Sequence, residues 1–361
     1  MKRFRYLLFT LTLATLNLGS VLIFFGFLVF LDSQQYVDTI RFFLGDPDAP
    51  VHLHRLLRPL GPLLAVPFEF IGLGAGLLIQ NIFFYFFSVG LVFLIINRLF
   101  HDQKQALYAS VLFFSAMPVL KFGLGYLTDM GAWFFYLFSV FLALLYREKD
   151  NVLFAVVAAF VSSAGVLMKE NGGMGILFLC GLILLSHQRS LKKKTGIFFL
   201  AAVVFLIPIV LFQIFMHVNF SYTYLDWFLY NKTTYVDQSG IGSLLLLHLY
   251  GLFQALHLVG WVFGGVGLWI FQKTKQYRHL YPVAAAFILP SFSFLLWPAS
   301  ESRLTFMIAL FAIMFASLGI RWVTKTFFPR YAYSAPFLIL AAYAMVNMVS
   351  VFVEVGFGVA S

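Results

Sequence analysis

The sequence predicts an all-α integral membrane protein that forms one membrane domain over residues 1–361. Hydrophobic residues make up 62% of the chain and charged residues only 11%, whereas charged residues are about 25% of a typical soluble domain. Apolar runs of about 20 residues, enough to cross a bilayer as a helix, recur along the whole chain. A soluble fold of this length could not bury so much apolar surface.

The apolar runs predict about eleven transmembrane helices. The first run is too long for the hydrophobic region of a signal peptide and has no small-residue cleavage site, so we expect a retained span. The single cysteine, Cys180, excludes an intramolecular disulfide. The predicted spans are 6–31, 75–97, 105–122, 127–146, 152–168, 173–187, 195–216, 244–271, 280–297, 304–320 and 332–353.

The distribution of charge predicts the orientation in the membrane. The formal net charge is +10, and most Lys and Arg residues lie in connections that share one side if the N-terminus is cytoplasmic, as the positive-inside rule requires. Of the 14 acidic residues only Asp102, Glu148 and Asp150 lie on that side. Topology therefore accounts for the positive charge, and no nucleic-acid partner is expected. The opposite face, which is periplasmic, extracellular or lumenal, is predicted to be the active one.

Two connections on the predicted outer side are long enough to carry structure. Residues 32–74 form the first outer loop, with a helix at 34–44 followed by a turn. The apolar stretch at 60–71 is too short and too rich in proline to span the bilayer, so we predict an interfacial helix there. Residues 217–243 are rich in Tyr, Asn and Thr and contain Trp227, which predicts a second outer loop at the level of the lipid headgroups.

The first outer loop carries a carboxylate, a phenol and two arginines. Asp32 follows the first span directly, and Tyr36, four residues later, would share its helix face. Arg55 and Arg58 are three residues apart, and paired guanidinium groups suit a phosphate because each donates two hydrogen bonds. Two structural alternatives stay open: Asp32 as a solvated helix cap, and the arginines as anchors to lipid phosphates.

Ionisable residues also interrupt later apolar runs on the predicted outer side. Asp129 needs a partner because an unpaired buried carboxylate is costly in a membrane, and Lys121 or another outer cation is the candidate. Lys169 and Glu170 either satisfy each other in a turn or each bind a separate partner, because neighbours in sequence do not share a helix face.

Glu301 and Arg303 lie at the start of a late span. Glu301 in a first helical turn complements the helix dipole, which is a sufficient structural reason for it, whereas Arg303 opposes the dipole and is more informative. Carboxylates and cations from four separate breaks in the chain thus collect on one face. This collection predicts a site for an anionic, phosphorylated ligand.

One turn offers candidate metal ligands. Asp46 and Asp48 resemble the paired aspartates that bind a divalent cation such as Mg²⁺ or Mn²⁺ through oxygen, although Asp-Pro-Asp is also an ordinary turn sequence. No other cofactor is predicted, and the sequence has no glycine-rich phosphate loop, Walker lysine or nucleophile elbow.

The order of these motifs resembles the GT-C superfamily of polytopic glycosyltransferases. The resemblance covers most of the first 175 residues, and it implies a GT-C-like fold and a sugar donor linked to polyprenyl phosphate. The residues that carry it are Asp32 with Tyr36, the segment Arg58-Pro59-Leu60-Gly61-Pro62-Leu63-Leu64-Ala65, Thr128-Asp129, Lys169-Glu170 and Arg303.

The resemblance also implies roles for individual residues. Asp32 and Asp129 would be catalytic, with Asp32 as the general base that activates an acceptor hydroxyl. The lipid phosphate would be bound, and its developing negative charge stabilised, by Arg55, Arg58, Lys169 and Arg303. Supporting roles fall to Tyr36, Glu170 and Glu301.

The sequence therefore predicts a membrane glycosyltransferase. Its expected partners are a polyprenyl-phosphate-linked sugar, an acceptor that is a lipid, a glycan or a protein, and the lipids of the membrane. Two other functions stay open. A flippase or transporter of lipid-linked saccharides would place ionisable residues deep within the spans, and a saccharide polymerase or ligase would use outer arginines in the same way.

Overall fold

The computed structural model describes residues 2–185, 190–296 and 302–356, and these residues form helices and no strand. The α-helices are α1 Lys2–Phe25, α2 Leu31–Phe43, α3 Leu53–Leu56, α4 Leu60–Ala65, α5 Ala75–Phe100, α6 Gln103–Phe114, α7 Asp129–Lys149, α8 Val152–Met168, α9 Gly175–Leu185, α10 Leu191–Phe220, α11 Tyr224–Asn231, α12 Gln238–Lys273, α13 Tyr281–Ala286, α14 Ile288–Ser291, α15 Ser302–Thr305, α16 Ala309–Phe327 and α17 Ala335–Gly356. Short 3-10 helices lie at Val66–Ile71, Glu170–Met174, Lys275–Leu280, Ser293–Leu296, Phe306–Ile308 and Pro329–Tyr331, and π-helical turns at Val119–Gly123 and Lys232–Asp237.

Seven helices in the described ranges are long and apolar enough to span a membrane, which confirms the all-α membrane class. They are Phe4–Phe25, Ala75–Phe100, Asp129–Lys149, Leu191–Phe220, Leu245–Lys273, Arg303–Phe327 and Ala335–Val355. The other four predicted spans, at 105–122, 152–168, 173–187 and 280–297, correspond to shorter helices. The number eleven therefore stays a prediction.

Backbone breaks explain why some helices are shorter than the apolar runs that predicted them. The first run was expected to extend to residue 31, but α1 ends at Phe25 because Gly26 adopts a φ of +65°, which ends a right-handed helix. The run at 105–122 is interrupted after Phe114, where α6 ends, and Pro118, four residues later, has no N–H to donate back to the Phe114 carbonyl. A single π-helical turn, Val119–Gly123, follows this proline. Apolar composition alone does not register either break.

The core of the bundle lies around α7 and α16. Helix α7 packs against α5, α8 and α9, and α16 packs against α12 and α6. Both helices are mostly buried, whereas α1, α10 and α17 expose most of their surface. The exposed side chains of α10 include Ile207, Leu211 and Phe215. This outer shell of apolar side chains suits contact with lipid, because a helix satisfies its own backbone hydrogen bonds.

The two predicted outer segments differ in outcome. Helix α2 confirms the helix predicted at 34–44, and Gly45, with a φ of +82°, begins the predicted turn. The segment 217–243 is helical except at 221–223, so an extended loop is not what the structure shows. Polar composition suggested a loop, but Asp226 caps the backbone N–H of Thr223 at 2.7 Å and starts α11.

Charged side chains form separate groups at the two ends of the bundle. At one end, Glu148 in the last turn of α7 pairs with Arg98 in the last turn of α5. Asp102, two residues after the end of α5, pairs with Arg321 of α16. Asp129 lies at the opposite, N-terminal end of α7. Helix α5 has 26 residues and thus separates the two ends by about 39 Å. The second group, around Asp129, is the one that sequence analysis singled out.

We expect the close packing of α12 on α16 to be essential for stability. A Cβ atom at Gly267 would overlap the carbonyl oxygen of Phe315, and one at Gly319 would overlap that of Phe263. Substitution of either glycine by alanine should therefore lower the free energy of unfolding, by about 1–3 kcal/mol as for other overpacked sites. Thermal unfolding of the purified protein in detergent measures the change.

The control is Gly265→Ala, two residues from Gly267 in the same helix. An added Cβ there has no atom within 4 Å, and alanine favours a helix over glycine by about 0.5–1 kcal/mol. Its unfolding temperature should stay equal or rise. Equal losses in Gly265→Ala and Gly267→Ala would contradict the packing argument.

Candidate functional site

Helix α2, in the segment predicted to be the first outer loop, meets the late helix α15 at Asp32. Asp32 lies in the first turn of α2, and one of its carboxylate oxygens is 2.5 Å from Nη2 of Arg55. The other oxygen accepts a hydrogen bond from Nη2 of Arg303, in α15, at 3.3 Å. The Asp32 side chain is still 28% exposed. Two cations thus hold a carboxylate that remains reachable from outside the protein.

A second carboxylate, Asp129, is held in the interior. Nζ of Lys169 lies 2.5 Å from one of its oxygens, and Nη1 of Arg303 lies 3.7 Å from the other. The side chains of Asp129 and Lys169 are only 1% and 5% exposed. Since Arg303 contacts both aspartates, it joins the first turns of α2 and α7 into one ionic network.

The hydroxyl of Tyr36 lies at the centre of this network. It is 2.9 Å from Oγ1 of Thr128 and accepts long hydrogen bonds from Arg55 at 3.4 Å and Arg58 at 3.5 Å. Arg58 also donates from Nε to a carboxylate oxygen of Glu170 at 2.9 Å. The two arginines predicted to project together therefore converge on one phenol. Lys169 and Glu170 have separate partners, as one of the two alternatives required.

The cations determine the ionisation of Asp32. Burial alone would raise the pKa of its carboxyl, but Arg55, Arg303 and Lys169 outweigh burial and lower this pKa below its usual value. Because the folded-state pKa lies below the unfolded one, the ion pairs of Asp32 stabilise the fold at neutral pH. This stabilisation is lost only as the pH falls through the folded-state pKa. Asp32 is therefore an ionised carboxylate of low basicity in this arrangement.

A buried amide fixes the approach of the chain to Asp129. Nδ2 of Asn81, in α5, donates hydrogen bonds to the carbonyl oxygens of Gly125 and Leu127 at 2.8 and 2.7 Å. These two carbonyls belong to the non-helical segment that follows the π-helical turn, where no regular ladder would satisfy them. Asn81 thus positions the N-terminus of α7, a role that sequence analysis missed because the residue lies within an apolar run.

Gly172 positions the turn that carries Lys169. The turn after Lys169 packs directly on the backbones of α7 and α8. A Cβ at Gly172 would lie 2.7 Å from the carbonyl oxygen of Gly165 and 3.0 Å from Cα of Ala132. A larger residue would push this turn outward, and the Lys169 ammonium would move away from Asp129.

Helix α11 supplies an aromatic wall beside the arginines. The ring of Trp227 lies 5.9 Å from the Arg58 guanidinium and stacks on His54 with a centroid separation of 4.8 Å. The Tyr224 hydroxyl is within hydrogen-bond distance of the carbonyl oxygens of Leu57, at 2.7 Å, and Val166. The segment predicted as a headgroup-level loop therefore contributes to the site.

His54 is neutral in this environment. Burial, together with the positive charges of Arg55 and Arg58, lowers its pKa to about 3. Its Nε2 lies 2.9 Å from Oε1 of Gln35, an oxygen that can only accept a hydrogen bond. The Nε2–H tautomer is thus the one that donates, and His54 serves to orient Gln35 rather than to carry charge.

Comparison with known proteins adds no family to this geometry: no protein-family model matches the sequence, and a search of curated proteins finds no significant match.

The predicted site residues mostly lie together. Eight of them belong to the network just described: Asp32, Tyr36, Arg55, Arg58, Asp129, Lys169, Glu170 and Arg303. Glu301 lies outside the described residues. Of the two candidates for the partner of Asp129, Lys121 or another cation, the structure shows the second: Lys169 pairs with Asp129, whereas Nζ of Lys121 lies 2.6 Å from Glu354. The π-helical turn at Val119–Gly123 places Lys121 against α17. Lys121 and Glu354 are 233 positions apart, so the local sequence does not reveal this contact.

The turn proposed as a metal site has a different role. Asp46 pairs with Arg41 at 2.7 Å and accepts a hydrogen bond from the backbone of Asp48 at 3.0 Å. Across the described ranges, no cluster of three or more His, Cys, Asp or Glu side chains is suited to a metal ion. Asp46 and Asp48 therefore fit an ordinary turn better than a divalent cation.

Cavities lie at both ends of the bundle. Two clefts of about 610 and 460 Å³ adjoin the Arg98–Glu148 and Asp102–Arg321 pairs. A smaller cavity of about 90 Å³ lies against Arg58, Lys169 and Glu170. The larger clefts adjoin partly exposed ion pairs, whereas the smaller one adjoins buried ionic groups. We therefore place the candidate functional site at the smaller cavity.

The buried pair allows a direct test of the network. Asp129→Asn would leave the Lys169 ammonium in the interior without its carboxylate, and breaking a buried pair typically costs about 3–5 kcal/mol. We expect a loss of that order in the free energy of unfolding, measured by denaturant titration of the protein in mixed micelles. Glu148→Gln removes a partner from the exposed pair with Arg98 and should cost about 1 kcal/mol or less. Similar losses of unfolding free energy in Asp129→Asn and Glu148→Gln would contradict the description of the Asp129–Lys169 pair as buried.

Proposed function

We propose that this protein is a membrane glycosyltransferase that moves a sugar from polyprenyl phosphate to an acceptor hydroxyl, as its resemblance to the GT-C superfamily implies. The observation that carries the proposal is the meeting of four cations with the partly exposed carboxylate of Asp32 at one end of a helical membrane bundle. The cations come from three separate breaks in the chain and are Arg55, Arg58, Lys169 and Arg303.

The charge balance favours a monoanionic phosphodiester as the ligand. Among the described residues the network contains four cations and three carboxylates, namely Asp32, Asp129 and Glu170, so the cations outnumber the carboxylates by one. A sugar linked to a lipid through phosphate carries one negative charge and would balance this excess. Guanidinium groups bind phosphate oxygens in pairs, and the apolar wall of the cavity, with Phe294, Leu304 and Met307, suits the first part of an isoprenoid chain.

The same groups suit the chemistry of transfer. The acceptor oxygen attacks the anomeric carbon of the sugar while the bond from that carbon to the phosphate oxygen breaks. The acceptor proton passes to Asp32, and the lipid phosphate leaves with the bonding electron pair. With the phosphate beside Arg58, Lys169 and Arg303, these cations would stabilise the additional negative charge that develops on it and would lower the barrier, because they are already in position.

Donor binding would also increase the basicity of Asp32. In the structure Arg55 and Arg303 both contact its carboxylate and hold its pKa below the usual value. A phosphate that takes hydrogen bonds from these arginines competes with Asp32 for them, so the pKa of Asp32 rises toward its ordinary value. The base then becomes more effective only when a donor is bound, which would limit unproductive proton transfer.

The role of Asp32 is testable by an isosteric substitution. Asp32→Asn should reduce sugar transfer by at least about 100-fold, the usual contribution of a general base. Binding of the donor should be retained or become tighter, because Arg55 and Arg303 no longer have a competing carboxylate. Transfer is measured in membranes of an overexpressing host with radiolabelled undecaprenyl-phosphate-linked monosaccharides, and binding with the same lipids and the purified protein.

Asp38→Asn is the matched control. Asp38 lies on the same helix but contacts Gln34 and His52 instead of the ionic network. It should keep most of the transfer activity. Full activity in Asp32→Asn would remove Asp32 from the catalytic role.

A leaflet assay separates an enzyme from a flippase. Liposomes that contain the purified protein and a fluorescent polyprenyl-phosphate sugar are treated with dithionite, which bleaches only the outer leaflet. A glycosyltransferase should leave the inner pool protected as well as in protein-free liposomes. Bleaching of both leaflets, lost in Arg58→Ala, would favour the flippase.

A further inference from the structure

Asn171 is a buried amide whose polar atoms have no hydrogen-bond partner in the described part of the chain. It follows Lys169 and Glu170 in the 3-10 turn Glu170–Met174, and it is only 8% exposed. Neither its Nδ2 nor its Oδ1 forms a hydrogen bond with the described residues. Buried polar side chains are nearly always hydrogen-bonded, so this amide requires an explanation.

The amide lines the cavity beside the ionic network. Arg58, Lys169 and Glu170 form the charged side of that cavity, and Met174 and Phe294 belong to its apolar side. The volume of about 90 Å³ is enough for about six to nine water-sized groups, comparable to part of a sugar ring with its hydroxyls. The neutral polar side chains of the described lining are Asn171 and Ser293, and the Ser293 hydroxyl already donates to the carbonyl oxygen of Pro290 at 2.8 Å, whereas the Asn171 amide has no hydrogen-bond partner among the described residues.

The turn itself does not depend on the Asn171 side chain. The backbone N–H of Gly172 donates to the carbonyl oxygen of Lys169 at 2.8 Å and closes the turn. The close approach of Gly172 to Gly165 and Ala132 holds the turn against the bundle. Local structure therefore gives no reason for an asparagine here.

We propose that Asn171 recognises the sugar of the donor, through hydrogen bonds to hydroxyl groups next to the phosphate. A primary amide donates from Nδ2 and accepts at Oδ1, so it can bind two adjacent hydroxyls at once. Arg58 and Lys169 would hold the phosphate, and Asn171 would select the group attached to it. This inference rests on the proposed function, because it assumes a phosphate-linked sugar in the cavity.

A pair of ligands with equal charge separates sugar recognition from phosphate binding. The first probe is a citronellyl phosphodiester of glucose, mannose, galactose or arabinose, tested as a panel. The second is citronellyl methyl phosphate, a diester with the same charge and no sugar. Dissociation constants are measured with the full-length protein in detergent by microscale thermophoresis.

We expect the wild-type protein to bind at least one glycosyl diester more tightly than the methyl diester. Asn171→Ala, which adds no bulk to the cavity, should raise the dissociation constant of that glycosyl diester about tenfold, which corresponds to the loss of roughly one to two hydrogen bonds. Binding of the methyl diester should change by less than about twofold. Asn171→Leu should behave in the same way, and retained methyl-diester binding shows that each variant is folded.

Gln105→Ala is the matched control. Gln105 is also fully buried, with neither amide atom partnered among the described residues, but it lies in the first turn of α6, at the other end of the bundle. This variant should keep the preference for the glycosyl diester. A loss of preference as large as in Asn171→Ala would overturn the proposal.

The remaining outcomes distinguish failure of the role of Asn171 from failure of the proposed function. If the wild-type protein prefers a glycosyl diester and Asn171→Ala retains the preference, the role of Asn171 is overturned while the proposed function stands. Equal weakening of both probes, or weakening by leucine alone, would indicate a structural or steric effect and would also overturn it. If the wild-type protein binds neither probe, the proposed function itself fails.

Discussion

The burial of the Asp129–Lys169 pair is the constraint on which the rest of the site depends. Charges with exposures of 1% and 5% are tolerated only when each has a partner, because unpaired charge in a poorly hydrated interior is costly. The N-terminus of α7 and the turn after α8 must therefore lie side by side. Asn81 and Gly172 provide the backbone geometry that makes this contact close enough.

Arg303 extends this constraint to the first outer segment. It lies 3.7 Å from Asp129 and 3.3 Å from Asp32, so the position of α2 is coupled to that of α7. Tyr36, four residues after Asp32 in the same helix, then meets Arg55 and Arg58. The ion pairs within the network hold the cations in place, so the cations would not have to reorient when an anionic ligand binds.

Preformed ion pairs also explain how a site so rich in cations can persist without a ligand. Each cation has a carboxylate or a phenol within reach, and among the described residues the cations exceed the carboxylates by only one. In the proposed function, a phosphate would replace protein carboxylates as a hydrogen-bond acceptor, and this exchange would link ligand binding to the basicity of Asp32. Stability and the proposed chemistry thus depend on the same contacts.

Local sequence patterns were sufficient for part of the site. The spacing of Asp32 and Tyr36 placed them on one helix face, and the adjacency of Lys169 and Glu170 allowed separate partners, because both relations depend only on helix geometry. The choice between Lys121 and another cation as the partner of Asp129 could not be made from the sequence, since the π-helical turn after Pro118 directs Lys121 to Glu354, which is distant in sequence. Asn171 was not singled out, because an unpartnered amide is visible only when its surroundings are known.

The sequence by itself determined that the chain forms apolar helices and that the charges between its apolar runs need partners. Both follow from composition and the cost of burying charge, which are properties of residues rather than of their arrangement. Tertiary structure decided which helices are long enough to span, that α11 replaces a predicted loop, and which cation meets which carboxylate. These outcomes depend on contacts between residues such as Asp32 and Arg303, 271 positions apart, and no local pattern specifies such a pairing.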